Sequence, residues 1–173
     1  PSCGAHALVR VDSPVRLPRP AAANAGLDAA TGDWITFLDD DDVFLPDHLA
    51  GLLAAAAAAP AARVITSYAR GVFRDGHVEW FGQPFSLSQL YERNFIHLSA
   101  TIFARELVEG GCRFDQSLEI LEDWEFMLQL AHKAKAPFHF VPLGSFQWNV
   151  DAGDSGAGSG TKRYAQAVDA GPK

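Results

Sequence analysis

The chain reads WITFLDDDD from Trp34 to Asp42, so a short, mostly apolar segment leads directly into four carboxylates. The apolar segment predicts a buried strand. Two unit charges 4 Å apart repel by about 4 kcal/mol at an effective dielectric constant of about 20, so we expect a cation among these aspartates. Mg²⁺ or Mn²⁺ fits best, because hard divalent ions take carboxylate oxygens and often keep substrate phosphates as further ligands. The alternative is a solvated acidic turn ahead of a helix that begins near Pro46.

Strands and helices alternate on both sides of this stretch. Residues 21–30 have helical composition and are followed by Gly32, a helix-stop residue, while Leu49 begins the apolar face of the next predicted helix. Residues 8–11 and 64–67 read as further strands. The alternation predicts an α/β fold with a mostly parallel central sheet and helices on both faces.

The pattern changes after Tyr68. The dipeptide Asp75-Gly76 lies between two short strand-like runs and predicts a projecting β-hairpin. Further helices are predicted at 86–93, 105–109 and 121–132, the last with Phe126, Met127 and Leu130 inward, and further strands at 100–103, 138–141 and 146–150. Residues 152–160 are rich in Gly, Ser and Ala and predict a mobile loop or linker before a terminal helix near 164–168.

Length, composition and charge restrict the class of protein. The 173 residues suit one globular domain, with 48% hydrophobic and 20% charged residues. The net charge of -7 argues against general binding to nucleic acid or to anionic membranes. No stretch is long and apolar enough to span a bilayer, and no signal peptide is evident. Cys3 and Cys112 lack motif spacing, so free or buried thiols are favoured, which suggests a reducing, cytoplasmic location, either free or peripheral to a membrane.

A second acidic pair, Glu122-Asp123, falls in the first turn of the helix predicted at 121–132. Unpaired backbone N–H groups and the helix dipole favour the ionised carboxylate there, which suits a general base. Simple helix-end electrostatics is the alternative. We expect this pair and the four aspartates to face each other across one cleft.

Two blocks of the sequence occur in an informative order and spacing. The first reads NAGLDAATGDWITFLDDDD from Asn24 to Asp42, with Pro46 following. The second contains SATIF from Ser99, GGCRFD from Gly110 and LEDWEF from Leu121. Together these blocks resemble family 2 glycosyltransferases, and the similarity extends over residues 8–150.

The resemblance implies a GT-A type fold, in which the hairpin predicted at Asp75-Gly76 would be a small insertion. It further implies transfer of a sugar, with inversion, from a nucleotide-diphosphate donor to a saccharide, lipid-linked or other hydroxyl acceptor, assisted by Mg²⁺ or Mn²⁺. Its motifs assign the metal ion to Asp39, Asp41 and Asp42, the general base to Asp123 with Glu122 as its partner, and the substrate site to Asp40, with Asn24 and Gly26 shaping a turn behind it.

The aromatic residues and one histidine add candidates of lower specificity. Trp124 adjoins the predicted base and is the best candidate among the tryptophans to stack on a sugar ring. Core positions are favoured for Trp34, Trp80 and Trp148. For His97 we favour an ordinary packed or surface position over a place in the acceptor cleft.

Three features depart from the family pattern. The strands that usually hold the nucleobase are not in the chain, so we expect a partial GT-A domain over residues 1–150 and a loop with a C-terminal helix or tail over 151–173. Many relatives carry an arginine where this chain has Ala23. Many also carry a late histidine near the metal, a position that Asp151 would have to fill.

Two other classes of function stay open. A non-catalytic sugar-binding or scaffold module of the same fold would need no metal ion. A phosphatase or nucleotidyl transferase using the acidic cluster would release phosphate or pyrophosphate instead of a nucleoside diphosphate.

Overall fold

The computed structural model describes residues 7–151. The helices in this part of the chain are α1 (Arg19–Ala29), α2 (His48–Ala58), α3 (Leu87–Glu92), α4 (Arg105–Glu109) and α5 (Glu122–Leu128). The strands are β1 (Trp34–Ile35), β2 (Val43–Phe44), β3 (Val64–Thr66), β4 (Ala69–Val72), β5 (Val78–Phe81), β6 (Thr101–Ala104), β7 (Phe138–Phe140) and β8 (Phe146–Asn149). A 3₁₀ turn (Leu98–Ala100) precedes β6, and a π-helical turn (Gln129–Lys133) extends α5.

The strands form two four-stranded sheets, in the orders β1-β6-β3-β7 and β2-β8-β4-β5. In the first sheet β6 is antiparallel to both neighbours, and β3 is parallel to β7. In the second, β8 is parallel to β4 and antiparallel to β2. The α/β class is confirmed, but the sheets are mixed instead of mostly parallel. The chain leaves the first sheet at the end of β3, passes through the second sheet and returns along β6 in the opposite direction, with Thr101 opposite Thr66. Apolar runs do not encode the direction of a strand.

The predicted hairpin is present as β4 and β5, which pair antiparallel with Val72 opposite Val78. Residues 73–77 connect them, with Gly76 at a φ of 87° that suits glycine. The Gly76 N–H donates to the Phe73 carbonyl at 2.9 Å. The hairpin does not project as a separate insertion, because β4 pairs with β8 and so joins the second sheet.

The strand predicted at residues 8–11 does not form. Leu8 is 95% exposed, and no strand within residues 7–151 pairs with this segment. Without a partner strand, the backbone N–H and C=O groups of this segment form hydrogen bonds only with water, and its exposed apolar side chains add no burial free energy. Cys3, the predicted loop at 152–160 and the predicted terminal helix lie outside the described residues. No helix within the described part has the length and apolar character needed to cross a membrane.

The first sheet carries helices on both faces. Val64 and Phe103 point into a cluster with Phe126 of α5, whereas Ile65 and Ile102 point to the other face, where Leu52 of α2 packs. This division follows from the alternation of side chains along a strand. Phe126 stacks on Phe114 with ring centroids 4.3 Å apart, and Met127 and Leu130 are buried as predicted. The core therefore holds the start of α5 against the sheet in which β1 lies.

Candidate active site

The acidic loop follows β1 and leads into β2. Oxygens of Asp39, Asp41 and Asp42 all lie within 4.8 Å of one another. The end of β8 holds this loop in place, because the backbone N–H of Asn149 donates to Asp42 Oδ1 at 3.0 Å and its side-chain amide donates to the Asp41 carbonyl. Asp40 is exposed in the same loop and outside the cluster.

The cluster has the size and chemistry that a divalent ion needs. Oxygens on opposite sides of a Mg²⁺ ion, each at 2.0–2.1 Å, lie about 4 Å apart, so small side-chain rotations would bring the three carboxylates to ligating distance. Burial raises the pKa of Asp42 to about 6, with repulsion from Asp41 and Asp39 adding to it and the Asn149 N–H opposing it. A cation would relieve that repulsion. The three residues therefore fit Mg²⁺ or Mn²⁺.

Asp151 lies elsewhere. Its Oδ2 accepts a hydrogen bond of 2.8 Å from the backbone N–H of Arg74 in the hairpin loop, and it is not part of the carboxylate cluster. The idea that Asp151 replaces the late histidine at the metal is therefore not supported by its position. Asp151 follows β8 and contacts the hairpin loop instead of the acidic loop. The sequence gives no signal for this direction of the chain.

Glu122 and Asp123 lie in the first turn of α5, within one residue of the predicted helix start. Asp123 accepts hydrogen bonds from the backbone N–H of Trp124 at 2.8 Å and from Asn94 Nδ2 at 3.4 Å. Burial raises the pKa of both carboxyls, whereas backbone N–H groups and the charge of Arg19 lower it. The net direction is upward for both, which makes each a stronger base than an exposed carboxylate.

Arg19 connects the two acidic sites. It is the first residue of α1, and its Nη2 lies 3.5 Å from Asp39 Oδ2 while its Nε lies 3.2 Å from Glu122 Oε1. The charge of Asp39 also reaches Asp123, where it acts to raise the pKa. One guanidinium therefore spans from the acidic loop to the start of α5, so the two sites lie on the same side of the molecule, as expected.

Sequence reasoning did not identify Arg19. A signal existed, because Ala23 occupies the position where many relatives carry an arginine, and Arg19 lies four residues before it. Side chains at i and i+4 share one face of a helix, so an arginine at position 19 reaches the same side of α1 as one at position 23.

Asn24 and Gly26 lie inside helix α1 and do not shape a turn, which corrects the prediction. The buried Asn24 side chain donates from Nδ2 to the Phe114 carbonyl and accepts from the Phe114 N–H through Oδ1, both at 2.9 Å. Its amide is thus occupied in tying α1 to the loop before α5. A Cβ at Gly26 would meet no atom within 4 Å, so packing does not require glycine there. Direct contact of either residue with substrate stays a prediction.

We expect Asn24→Ala to lower the free energy of unfolding by about 2–5 kcal/mol, because it leaves two buried backbone groups of Phe114 without partners. Urea unfolding followed by circular dichroism measures the change. Gln116→Ala is the control, since Gln116 is exposed in the same loop. Equal unfolding free energies for the two variants would contradict the anchoring role of Asn24.

Aromatic rings surround His97. Its ring centroid lies 4.7 Å from Phe146, 5.5 Å from Trp148 and 6.4 Å from Phe81. His97 Nδ1 accepts from the Ser99 N–H at 3.3 Å, which assigns the proton of the neutral ring to Nε2. Burial, with the charge of Arg19 in support, lowers the pKa of His97 to about 4. His97 is therefore a neutral, packed histidine near pH 7.

The tryptophans divide between core and surface. Trp124 is half-buried, packs against the main core and donates from Nε1 to the Leu90 carbonyl at 2.7 Å. Trp34 and Trp148 are half-buried and pack against core clusters. Trp80 is 57% exposed on the edge strand β5, so its predicted core position is wrong. A side chain on an edge strand has a neighbouring strand on one side only, so its ring is covered less than on a central strand. The sequence does not show which strand lies at the edge.

Comparisons with known proteins identify relatives by sequence. Glycosyltransferases of PGL/p-HBAD biosynthesis from Mycobacterium tuberculosis and Mycobacterium bovis are 30% identical over 110 residues, which is 62% of this chain and 41% of theirs. The uncharacterized protein y4gI of Sinorhizobium fredii is 26% identical over 151 residues, 83% of this chain and 16% of its own length.

Solved structures share the fold. S. aureus TarS 1–349 in complex with UDP-GlcNAc matches with a TM-score of 0.59 at 18% identity, over 75% of this chain and 38% of that one. The complex of the same protein with UDP gives 0.58 at 20% identity, over 73% and 38%. These matches confirm the expected GT-A type fold, and the chain spans less than half the length of each of these proteins. The model of the glycosyl transferase family 2 matches residues 11–109, more than half of the sequence. The chain therefore belongs to glycosyl transferase family 2.

Proposed function

We propose that this chain forms the catalytic part of an enzyme that transfers a sugar from a nucleotide-diphosphate donor to an acceptor hydroxyl, with inversion. The observation that supports the proposal is the contact of Arg19 with both Asp39 and Glu122, which brings the acidic loop and the first turn of α5 to the same side of the molecule. The mycobacterial relatives are named as glycosyltransferases, and TarS has been solved with UDP and with UDP-GlcNAc.

The two acidic sites divide the chemistry between them. Asp39, Asp41 and Asp42 would hold Mg²⁺ or Mn²⁺, which when bound neutralises the donor diphosphate and stabilises the leaving group. Asp123 would accept the proton of the acceptor hydroxyl at a carboxylate oxygen, aided by a pKa that burial raises. The ion pair between Glu122 and Arg19 would offset negative charge beside that base.

The order of bonds follows from this division. The acceptor oxygen forms a bond to the anomeric carbon while the bond from that carbon to the phosphate oxygen breaks, and the nucleoside diphosphate leaves with the electron pair. The proton of the hydroxyl ends on Asp123. A single displacement with inversion needs the base and the leaving-group site on opposite sides of the sugar, and the proposal assigns these places to Asp123 and to the acidic loop. Asp40, exposed on the donor side, and Trp124, beside the base, are the proposed substrate contacts.

The test is to incubate the protein with Mn²⁺, a panel of nucleotide sugars and simple saccharide acceptors, and to identify the released group. We expect a nucleoside diphosphate, and a product whose anomeric configuration by NMR is opposite to that of the donor. Release of phosphate or pyrophosphate would instead indicate a phosphatase or a nucleotidyl transferase. Sugar binding that persists without metal and without turnover would indicate a scaffold module.

A further inference from the structure

The two acidic contacts of Arg19 differ in how exposed the carboxylate is. The ion pair with Glu122 is 3.2 Å long, and the Glu122 side chain is only 9% exposed. The contact with Asp39 is 3.5 Å, at the long limit of a hydrogen bond, and the Asp39 side chain is 52% exposed. Asp39 is therefore the partner of Arg19 that solvent and a competing ligand reach more easily.

The guanidinium also has donors to spare. Its Nη1 contacts no acceptor within residues 7–151, and the Arg19 side chain is 55% exposed. Pro18 and Pro20 flank Arg19, which limits the backbone freedom at the start of α1. With Nη1 free within the described residues and the Nη2 contact at 3.5 Å, the guanidinium can present two parallel N–H groups to phosphate oxygens.

Arg19 and a divalent ion would compete for the same carboxylate. Asp39 belongs to the cluster that fits the ion, and it is also the more exposed partner of Arg19. Two cations that share one carboxylate repel each other, so Arg19, although it is also paired with Glu122, opposes ion binding at Asp39. A diphosphate placed between the ion and the guanidinium offers oxygens to both and removes that repulsion.

We propose that Arg19 makes the binding of the divalent ion and of the diphosphate interdependent, weakening the ion alone and strengthening the two together. The inference rests on the proposed function, since it uses the same ion site. Arg19 acts here as a binding residue for the diphosphate and as a competitor of the ion at Asp39. By linkage, the ion must raise the affinity for diphosphate by the same factor as diphosphate raises the affinity for the ion.

Calorimetry of the full chain tests this with Mn²⁺ alone, pyrophosphate alone and both together. Pyrophosphate is the probe because it carries the diphosphate without a nucleobase. Arg19→Gln should bind Mn²⁺ alone more tightly than the wild type and should lose most of the coupling, which we expect to be about 5- to 150-fold in the wild type. Arg16→Gln is the matched control, because Arg16 is exposed three residues upstream and makes no ion pair within residues 7–151.

A charge-preserving variant checks the mechanism. Arg19→Lys should keep the weak binding of Mn²⁺ alone but should bind the ion and pyrophosphate together less tightly, since an ammonium group lacks the two-point geometry. An Arg19→Gln variant that binds Mn²⁺ alone no more tightly, or that keeps the wild-type coupling, would overturn the inference. If the wild type bound no Mn²⁺ even with pyrophosphate, the ion site of the proposed function would fail as well, and the two failures are thereby distinguishable.

Discussion

Asp123→Asn should slow sugar transfer by about 10²- to 10⁴-fold, the usual contribution of general-base catalysis, while leaving donor binding nearly unchanged. Asparagine has the shape of aspartate, and its Oδ1 can still accept the hydrogen bond from the Trp124 N–H. It cannot take the proton of the acceptor hydroxyl. Single-turnover release of the nucleoside diphosphate measures the transfer step, and calorimetry with donor and Mn²⁺ measures binding.

Glu125→Gln is the matched control for this variant. It removes one negative charge from the same turn of α5, but Glu125 accepts its hydrogen bonds from Gln129, at 2.8 and 2.9 Å, and makes no contact with Arg19. We expect it to keep near-wild-type turnover. If Asp123→Asn turned over as fast as Glu125→Gln, Asp123 would not be the base.

Asp41→Asn should abolish the Mn²⁺-dependent binding of a nucleotide sugar. The substitution removes one of three carboxylates whose oxygens lie within 4.8 Å of one another, and with it a charged ligand of the ion. The loop itself should persist, because Asn149 binds the backbone carbonyl of residue 41 and the side chain of Asp42. Calorimetric titrations of the donor with and without Mn²⁺ measure the effect.

Asp47→Asn supplies the control for the loss of charge near this loop. Asp47 precedes α2 with a φ of 66°, a conformation that asparagine tolerates well, and it lies outside the carboxylate cluster. Donor binding that still responds to Mn²⁺ in Asp41→Asn, to the same degree as in Asp47→Asn, would remove Asp41 from the ion site.

Local patterns predicted much of the fold because each of them acts within a few residues. The apolar segment before the aspartates forms β1, although pairing ends at Ile35, and the acidic pair begins α5 within one residue of the expected position. The Asp75-Gly76 turn joins two paired strands. The segment at residues 8–11 failed for a complementary reason, since a strand needs a neighbour and no local pattern provides one.

The site shows the same division. The sequence identified the carboxylates that could bind a metal ion, but which of them lie close together depends on the path of the loop. Asp39, Asp41 and Asp42 come together because Asn149, more than 100 residues later, holds the loop, while Asp40 points to solvent and Asp151 binds the hairpin. Arg19 and the Phe114 contact of Asn24 depend on similarly distant partners.

The order of residues alone thus determined the class of fold, the chemistry of the acidic loop and the place of the second acidic pair, because charge, apolar periodicity and helix starts are local properties. Only the folded chain decided the directions of the strands, the exposure of Trp80 and the place of Arg19 between Asp39 and Glu122. The physical reason is that these features arise where elements distant in sequence pack together, and packing selects partners by shape and charge across the whole domain.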